Sequence, residues 1–314
     1  MRTLNAGALA ALCRFFSARR ASAGRTPEEL RYTPHQDLRY GPHKRHTVDI
    51  SVPHGASQGV ILFIHGGAWL TGGKEDRPAF LDGFRERFIV ASMNHRYIDE
   101  TVHINDVEED VAAAVAYIRE FSLENNRASG RLILMGHSSG AHLALLYAYK
   151  NHRTSPIPPA FCVDMAGPAD MGDIAFLYNF KKIGGEKFFY GLAEKAAGYQ
   201  IRDGDITREG YSEAGKRVLA AISPISFAAP DSPPVIIVHD VTDKMVPYAN
   251  SAALHHVLQV HGVVHNLAAS YSGLGHVLGA KKSKGGAAVY DKTLTAWIVR
   301  VMNEYIDRYC GTAD

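Results

Sequence analysis

Long apolar runs, paired cysteines and blocks of one charge are all scarce in this 314-residue chain, and each scarcity removes a class of function. A membrane-spanning helix needs roughly 18 uninterrupted apolar residues, and no stretch approaches that, so no span is expected. The three cysteines, Cys13, Cys162 and Cys310, are odd in number and far apart, which fits neither a disulfide framework nor a thiolate metal knuckle. Cys162 lies in an apolar run and reads as a small buried hydrophobe. Charge is nearly balanced, with 34 basic against 32 acidic residues and a formal net charge of +2. No basic run is long enough to track a phosphate backbone, so nucleic acid is not an expected partner. The densest run, Lys281-Lys282-Ser283-Lys284, is expected to be a solvated loop.

Acidic residues are also missing from Met1 to Pro27, a stretch that carries Arg2, Arg14, Arg19, Arg20 and Arg25. That composition fits an organelle transit segment. The apolar Leu4 to Leu12 and the small-residue run Ala21-Ser22-Ala23 resemble a secretory signal, but Arg14 and the Arg19-Arg20 pair interrupt it. A poorly ordered extension is the third reading. The expected division is an extension over 1–30 and one folded domain over 31–314, with a cytoplasmic location favoured over an organellar or secreted one.

Hydrophobic residues make up 46% of the chain, enough for a sizeable core. From residue 30 onward, short apolar runs alternate with helix-like segments. Val60–Ile64, Phe88–Met93, Leu132–Met135, Ala160–Met165 and Val235–Val238 read as strands, with Leu267–Tyr271 closing the series and Val48–Val52 as a leading antiparallel strand. Helices are expected over Ala79–Arg87, Val107–Glu120, His142–Tyr149 and Val289–Tyr309. The alternation implies a mostly parallel sheet with helices on both faces. About seventy residues separate Asp164 from Val235, where a bare alternation needs roughly half that. The excess, an insertion over about 168–224, follows the sixth strand and carries Leu177 among the aromatics Phe176, Tyr178, Phe180, Phe188, Phe189 and Tyr190. It reads either as a lid over the carboxyl ends of the strands or as helices packed on the sheet edge.

Three segments carry chemistry. Gly136-His137-Ser138-Ser139-Gly140 fits G-x-S-x-G, follows a strand and precedes a helix, the context that exposes a serine nucleophile on a sharp turn. Ser138 holds the central position, and Ser139 offers its backbone N–H as an oxyanion donor. His65-Gly66-Gly67-Ala68-Trp69 follows the strand Val60–Ile64, and Gly66 and Gly67, with Ala68 as a further candidate, can expose N–H groups to a developing oxyanion. A serine nucleophile needs a base, and the base an orienting carboxylate, here in the chain order nucleophile, acid, histidine. Asp243, deep in the loop before Val246-Pro247, is preferred as the acid, with Asp240 shaping the turn. His276, in the Gly273-Leu274-Gly275-His276 loop, is the expected base. His255, His256, His261 and His265 sit on or beside a helix, are expected to be solvated, and lack the cysteine or carboxylate spacing of a metal site.

At these residues the chain resembles the α/β-hydrolase superfamily, in the branch with an H-G-G-x-W motif. That branch includes hormone-sensitive-lipase-like, carbohydrate-ester and feruloyl esterases, prenylcysteine methylesterases and arylformamidases. The resemblance covers about residues 45 to 310. Trp69 and the run Ser138-Ser139-Gly140-Ala141-His142 look closest to arylformamidases. Two departures stand out: Ala68 replaces the third glycine of many lipase-like relatives, and the segment from Pro168 to Pro224 matches no member. The resemblance implies an α/β-hydrolase fold, a Ser138–His276–Asp243 triad with an oxyanion hole at Gly66, Gly67 and Ser139, a small-molecule ester or amide substrate, and no cofactor. Three readings follow: a carboxylesterase, an arylformamidase acting on an aryl formamide such as N-formylkynurenine, or a silent hydrolase fold used for binding.

Overall fold

The computed structural model describes residues 31–173, 176, 194–198, 206–207, 210–283 and 285–311. The extension 1–30 and most of the aromatic insertion, with Leu177, Tyr178, Phe180, Phe188, Phe189 and Tyr190, lie outside the described residues. Phe176 is described, and it is buried in the core with Met171.

Eight strands form one sheet: β1 (Tyr32–Arg39), β2 (Thr47–Pro53), β3 (Gly59–Ile64), β4 (Ile89–Met93), β5 (Arg131–His137), β6 (Pro159–Met165), β7 (Val235–Asp240) and β8 (His265–Ser270), in the order β1-β2-β4-β3-β5-β6-β7-β8. β2 runs antiparallel to both its neighbours, and every pair from β4 to β8 is parallel. The expected mostly parallel sheet is therefore present. Among the described residues five α-helices accompany it: α1 (Ile104–Glu124), α2 (Ser139–Asn151), α3 (Glu213–Ala220), α4 (Tyr248–His261) and α5 (Lys292–Tyr309).

The central strands are apolar at every position because both faces are covered. Val60, Leu62, Ile64, Leu132, Leu134 and Ile237 point into one core with α1, α2 and α4. Ile61, Phe63, Ile133, Met135, Phe161 and Ile236 point into a second core with α5. Period-two alternation of side chains divides each strand between the two cores. α1 buries Ile104, Val107, Val111, Val115 and Ile118, spaced three and four apart along one stripe. Asp291 caps α5 by accepting from the N–H groups of Thr293 and Leu294.

Two expectations are corrected, and one strand is new. β1 was not expected: its sequence YTPHQDLR contains Pro34 and little apolar periodicity, and only pairing with β2 recruits this half-exposed edge. The helix expected over Ala79–Arg87 is a 3₁₀ segment, Ala79–Phe84, whose buried Leu81 and Phe84 lie three apart, as that tighter turn requires. Lys281 and Lys282 do not lie in a free loop. They pair with Ala288 and Val289 in a short antiparallel ladder, and Lys282 Nζ sits 2.8 Å from Asp76 Oδ1.

Phe161, fully buried, meets the Tyr305 ring of α5 edge-on at 5.3 Å and so joins the sheet to its closing helix. Phe161→Ala is expected to cost about 3–5 kcal/mol of stability, read from urea unfolding. A loss below 1 kcal/mol would show that this contact does not secure α5.

Candidate active site

Ser138 links β5 to α2 with φ 55° and ψ −125°, a conformation that costs an L-residue energy and persists only where the surroundings enforce it. They do so by close backbone approach. A Cβ on Gly136 would lie 2.2 Å from the Gly140 carbonyl carbon, and one on Gly140 would lie 2.1 Å from the Ile64 oxygen. The turn is thus pressed against its own helix on one side and against the end of β3 on the other. Ser138 N–H donates to Met165 O at 2.8 Å, and the first helical bond, His142 N–H to Ser138 O, closes at 3.1 Å.

The structure brings the three residues singled out in the sequence into one chain of hydrogen bonds. Ser138 Oγ lies 2.8 Å from His276 Nε2, and His276 Nδ1 lies 2.7 Å from Asp243 Oδ2. Asp243 follows β7, and its Oδ1 accepts the N–H groups of Met245 and Val246 at 2.7 and 3.0 Å, which locks the carboxylate plane. Burial by itself would raise the Asp243 pKa, but hydrogen bonds from His239 and His276 outweigh it and hold the group well below the usual carboxylate range. Asp240 stands one step away. It accepts from Thr242, from Ser270 Oγ and from the Leu274 N–H, tying the end of β7 to the loop that carries His276. These bonds overcome burial and bring its pKa down to about 2.

Gly66 stands against the serine, Ser139 follows it in the chain, and Gly67 turns back on Thr71. A Cβ on Gly66 would lie 3.3 Å from Ser138 Cβ, and Gly67 has φ +122°, with Thr71 O only 2.2 Å from where a Cβ would stand. Ala68 and Trp69 follow with φ 54° and 59°, two consecutive left-handed residues with side chains. Among the described residues, no backbone bond outside helices and strands uses the Gly66, Gly67 or Ala68 N–H as donor. The Ser139 N–H belongs to the first turn of α2, where no intrahelical acceptor exists. Trp69 packs edge-on against His142 at 5.1 Å, so the tryptophan of one motif rests on the histidine that ends the other.

Three buried residues matter here that the sequence did not single out. His137 Nε2 lies 2.9 Å from the His276 carbonyl oxygen, to which it donates. Burial and the neighbouring His276 push the His137 pKa down to about 3, so it stays neutral. His239 Nε2 lies 3.1 Å from Asp243 Oδ2 and 2.9 Å from Val246 O, two acceptors that place the proton on Nε2; its Nδ1 faces Ser251 Oγ at 2.7 Å. Asp164 is fully buried on β6, accepts from Gly167 N–H at 2.8 Å, and leaves Oδ2 without a partner. His137 fills a variable position of G-x-S-x-G, and an isolated His239 or Asp164 in an apolar run has no periodicity to read. His255 and His265, expected to be solvated, instead face each other at 2.7 Å and are half-buried. Among the described residues, no group of three or more His, Cys, Asp or Glu could hold a metal ion, and no helix is long and apolar enough to cross a membrane.

Burial pushes the Asp164 carboxyl up from 3.8 to about 7, with the Gly167 N–H and the field of His239 opposing it. A carboxyl raised in the folded state keeps a proton that the unfolded chain has released, so it lowers stability as pH rises from about 4 to about 7. Asp164→Asn should therefore stabilise the protein at pH 7 by on the order of 2–4 kcal/mol and very little at pH 4. Urea unfolding at both values checks this, and an equal gain at both would reject it.

A family model described as BD-FAE matches residues 48–258. Among curated proteins, the chain is similar to esterase LipQ of Mycobacterium tuberculosis, 25% identical over 236 residues, covering 72% of this chain and 53% of that protein. It is also similar to isoprenylcysteine alpha-carbonyl methylesterase ICME of Arabidopsis thaliana, 24% identical over 240 residues, covering 76% and 55%. The chain thus spans about half the length of these curated relatives. Among solved structures, a truncated carbohydrate esterase from gut microbiota superposes with a TM-score of 0.67 at 21% identity, over 90% of this chain and all of that one. Esterase B of Lactobacillus rhamnosis does so with a TM-score of 0.67 at 15% identity, over 97% and 92%. At such identities the superpositions establish the fold, the α/β-hydrolase sheet with its antiparallel second strand. Because the matched span runs from β2 into α4, over more than half of the chain, and takes in the turns of Gly66, Ser138 and Asp243, the chain belongs to the BD-FAE family.

Proposed function

We propose that the protein is a serine hydrolase that cleaves a carboxylic ester through an acyl-enzyme. The observation that carries this reading is the unbroken Ser138 Oγ–His276–Asp243 relay, 2.8 and 2.7 Å, on a serine held in a strained turn. His276 takes the Ser138 proton as Oγ attacks the ester carbonyl, and Asp243 holds the imidazole and offsets its positive charge. The N–H groups of Gly66, Gly67 and Ser139 receive the oxyanion. His276 then protonates the departing alcohol. Water, deprotonated by the same imidazole, attacks the acyl-enzyme, releases the carboxylic acid and restores Ser138. Every step uses side chains and backbone of this chain, and none calls on a cofactor.

An ester is favoured over an aryl formamide because the relatives named above are esterases and methylesterases. The test is hydrolysis of p-nitrophenyl esters from acetyl to dodecanoyl, with N-formylkynurenine alongside. Ser138→Ala should lose activity by about 10⁶ in kcat, as removal of a triad serine does elsewhere. Asp243→Asn should lose about 10⁴, because an amide in place of the carboxylate favours the wrong imidazole tautomer. Asp240→Asn should lose far less, since that side chain holds loops rather than His276. Preferential turnover of N-formylkynurenine would move the protein to the formamidase reading. A folded wild type that turns over nothing and fails to label with a serine-reactive phosphonate would leave a binding role.

A further inference from the structure

The structure assigns Arg45 a positioning role: by fixing the tautomer of His65, it directs the Gly67 N–H toward the oxyanion. The inference rests on the hydrolase reading above and concerns how its oxyanion donor is aimed.

Arg45 lies in the turn between β1 and β2, twenty residues before His65. Its Nη2 approaches His65 Nε2 at 3.3 Å. A guanidinium has donors only, so His65 Nε2 must be the acceptor and the ring proton must sit on Nδ1. His65 Nδ1 lies 2.8 Å from Gly66 O, so the Nδ1–H donates to that carbonyl. The Gly66–Gly67 peptide is trans, as are all the described peptides. In a trans peptide the N–H points opposite to the C=O. Pinning Gly66 O toward His65 therefore turns the Gly67 N–H to the other side of the peptide plane.

The surroundings hold the His65 ring in place and keep it neutral. The ring is fully buried and stacks on His95 at 4.3 Å, with the planes 14° apart. Burial, the neighbouring His95 and the Arg45 charge all favour its neutral form, which has a single proton to place. Arg45 is itself held rigidly: its Nε donates to His95 O at 2.7 Å, its Nη2 reaches Gly72 O at 3.2 Å and Asn94 Oδ1 at 3.3 Å, and its guanidinium lies 3.8 Å over the Tyr97 ring. Tyr97 Oη donates to the same Gly72 oxygen at 2.6 Å. Gly72 closes the turn from outside: a Cβ there would lie 2.2 Å from Gly66 O.

Arg45→Gln tests this, because a glutamine amide can donate or accept and no longer dictates the tautomer. Imidazole ¹⁵N shifts, with His65 assigned through His65→Gln, should show the Nδ1–H form in wild type and a mixture in Arg45→Gln. With a p-nitrophenyl ester, kcat should fall about 10- to 100-fold, less than the 10²–10³ typical of losing an oxyanion donor outright, while KM changes little. A boronic acid, which forms a charged tetrahedral adduct on the serine, should weaken in parallel with kcat. Arg45→Lys retains a donor-only cation and should keep the wild-type tautomer, and it serves if the glutamine variant does not fold. An unchanged tautomer in Arg45→Gln, or an unchanged kcat beside a changed tautomer, overturns the assignment. If Ser138→Ala proves as active as wild type, the hydrolase reading itself has failed, and the ¹⁵N shifts still report whether Arg45 sets the His65 proton.

Discussion

The close approach of the Gly136–Gly140 backbone to the end of β3 is the constraint on which the rest of the site depends. Gly140 leaves no room for a methyl group against Ile64 O, and Gly66 stands against Ser138 from the other direction. Two turns that each follow a central parallel strand are thereby brought into register with one another. The strain in Ser138 is sustained because β3, β5 and β6 are buried on both faces and cannot relax away from it. Trp69 against His142 extends the same contact outward, and His142 Nε2 reaches the Ile222 carbonyl at 2.7 Å, joining the elbow helix to the end of the long insertion.

Around this contact lies an unusual concentration of buried imidazoles. His65, His95, His137 and His142 are all pushed down by burial, which keeps them neutral donors rather than charges. Each has a backbone carbonyl within hydrogen-bonding reach: Gly66, Arg96, His276 and Ile222 respectively. A neutral imidazole suits this task, since it supplies one directional N–H without the desolvation cost of an ion. The charge in the site is concentrated in Asp243, which four N–H groups surround: two from the backbone and one each from His239 and His276. That number of donors lets a carboxylate stay ionised where solvent barely reaches.

Order along the chain was enough to place the central strands, the helices α1, α2 and α5 and the serine turn, because each depends on local chemistry. A strand buried on both faces is apolar throughout, and a sharp strand-to-helix turn demands glycines two residues either side of its centre. Ser138, Asp243 and His276 could be chosen from chain order because a parallel sheet with crossover helices presents the ends of β5, β7 and β8 along one edge in that same order. β1 escaped notice for the converse reason: its half-exposed polar side chains carry no pattern, and pairing with β2 alone makes it a strand.

What chain order could not supply are contacts between segments far apart in sequence. His239 shares Asp243 Oδ2 with His276, His137 braces the loop of His276 across 139 positions, and Arg45 reaches His65 from the β1–β2 hairpin. Each is a single side chain whose meaning comes from a partner's position, and hydrogen bonding depends on distance and direction in space rather than on spacing in the chain. The preference for Asp243 over Asp240 rested on position in the loop, and the geometry behind it is tertiary. Both lie in one short loop with the same chemistry, and only the fold turns Asp243 toward His276 while tying Asp240 to Thr242, Ser270 and Leu274.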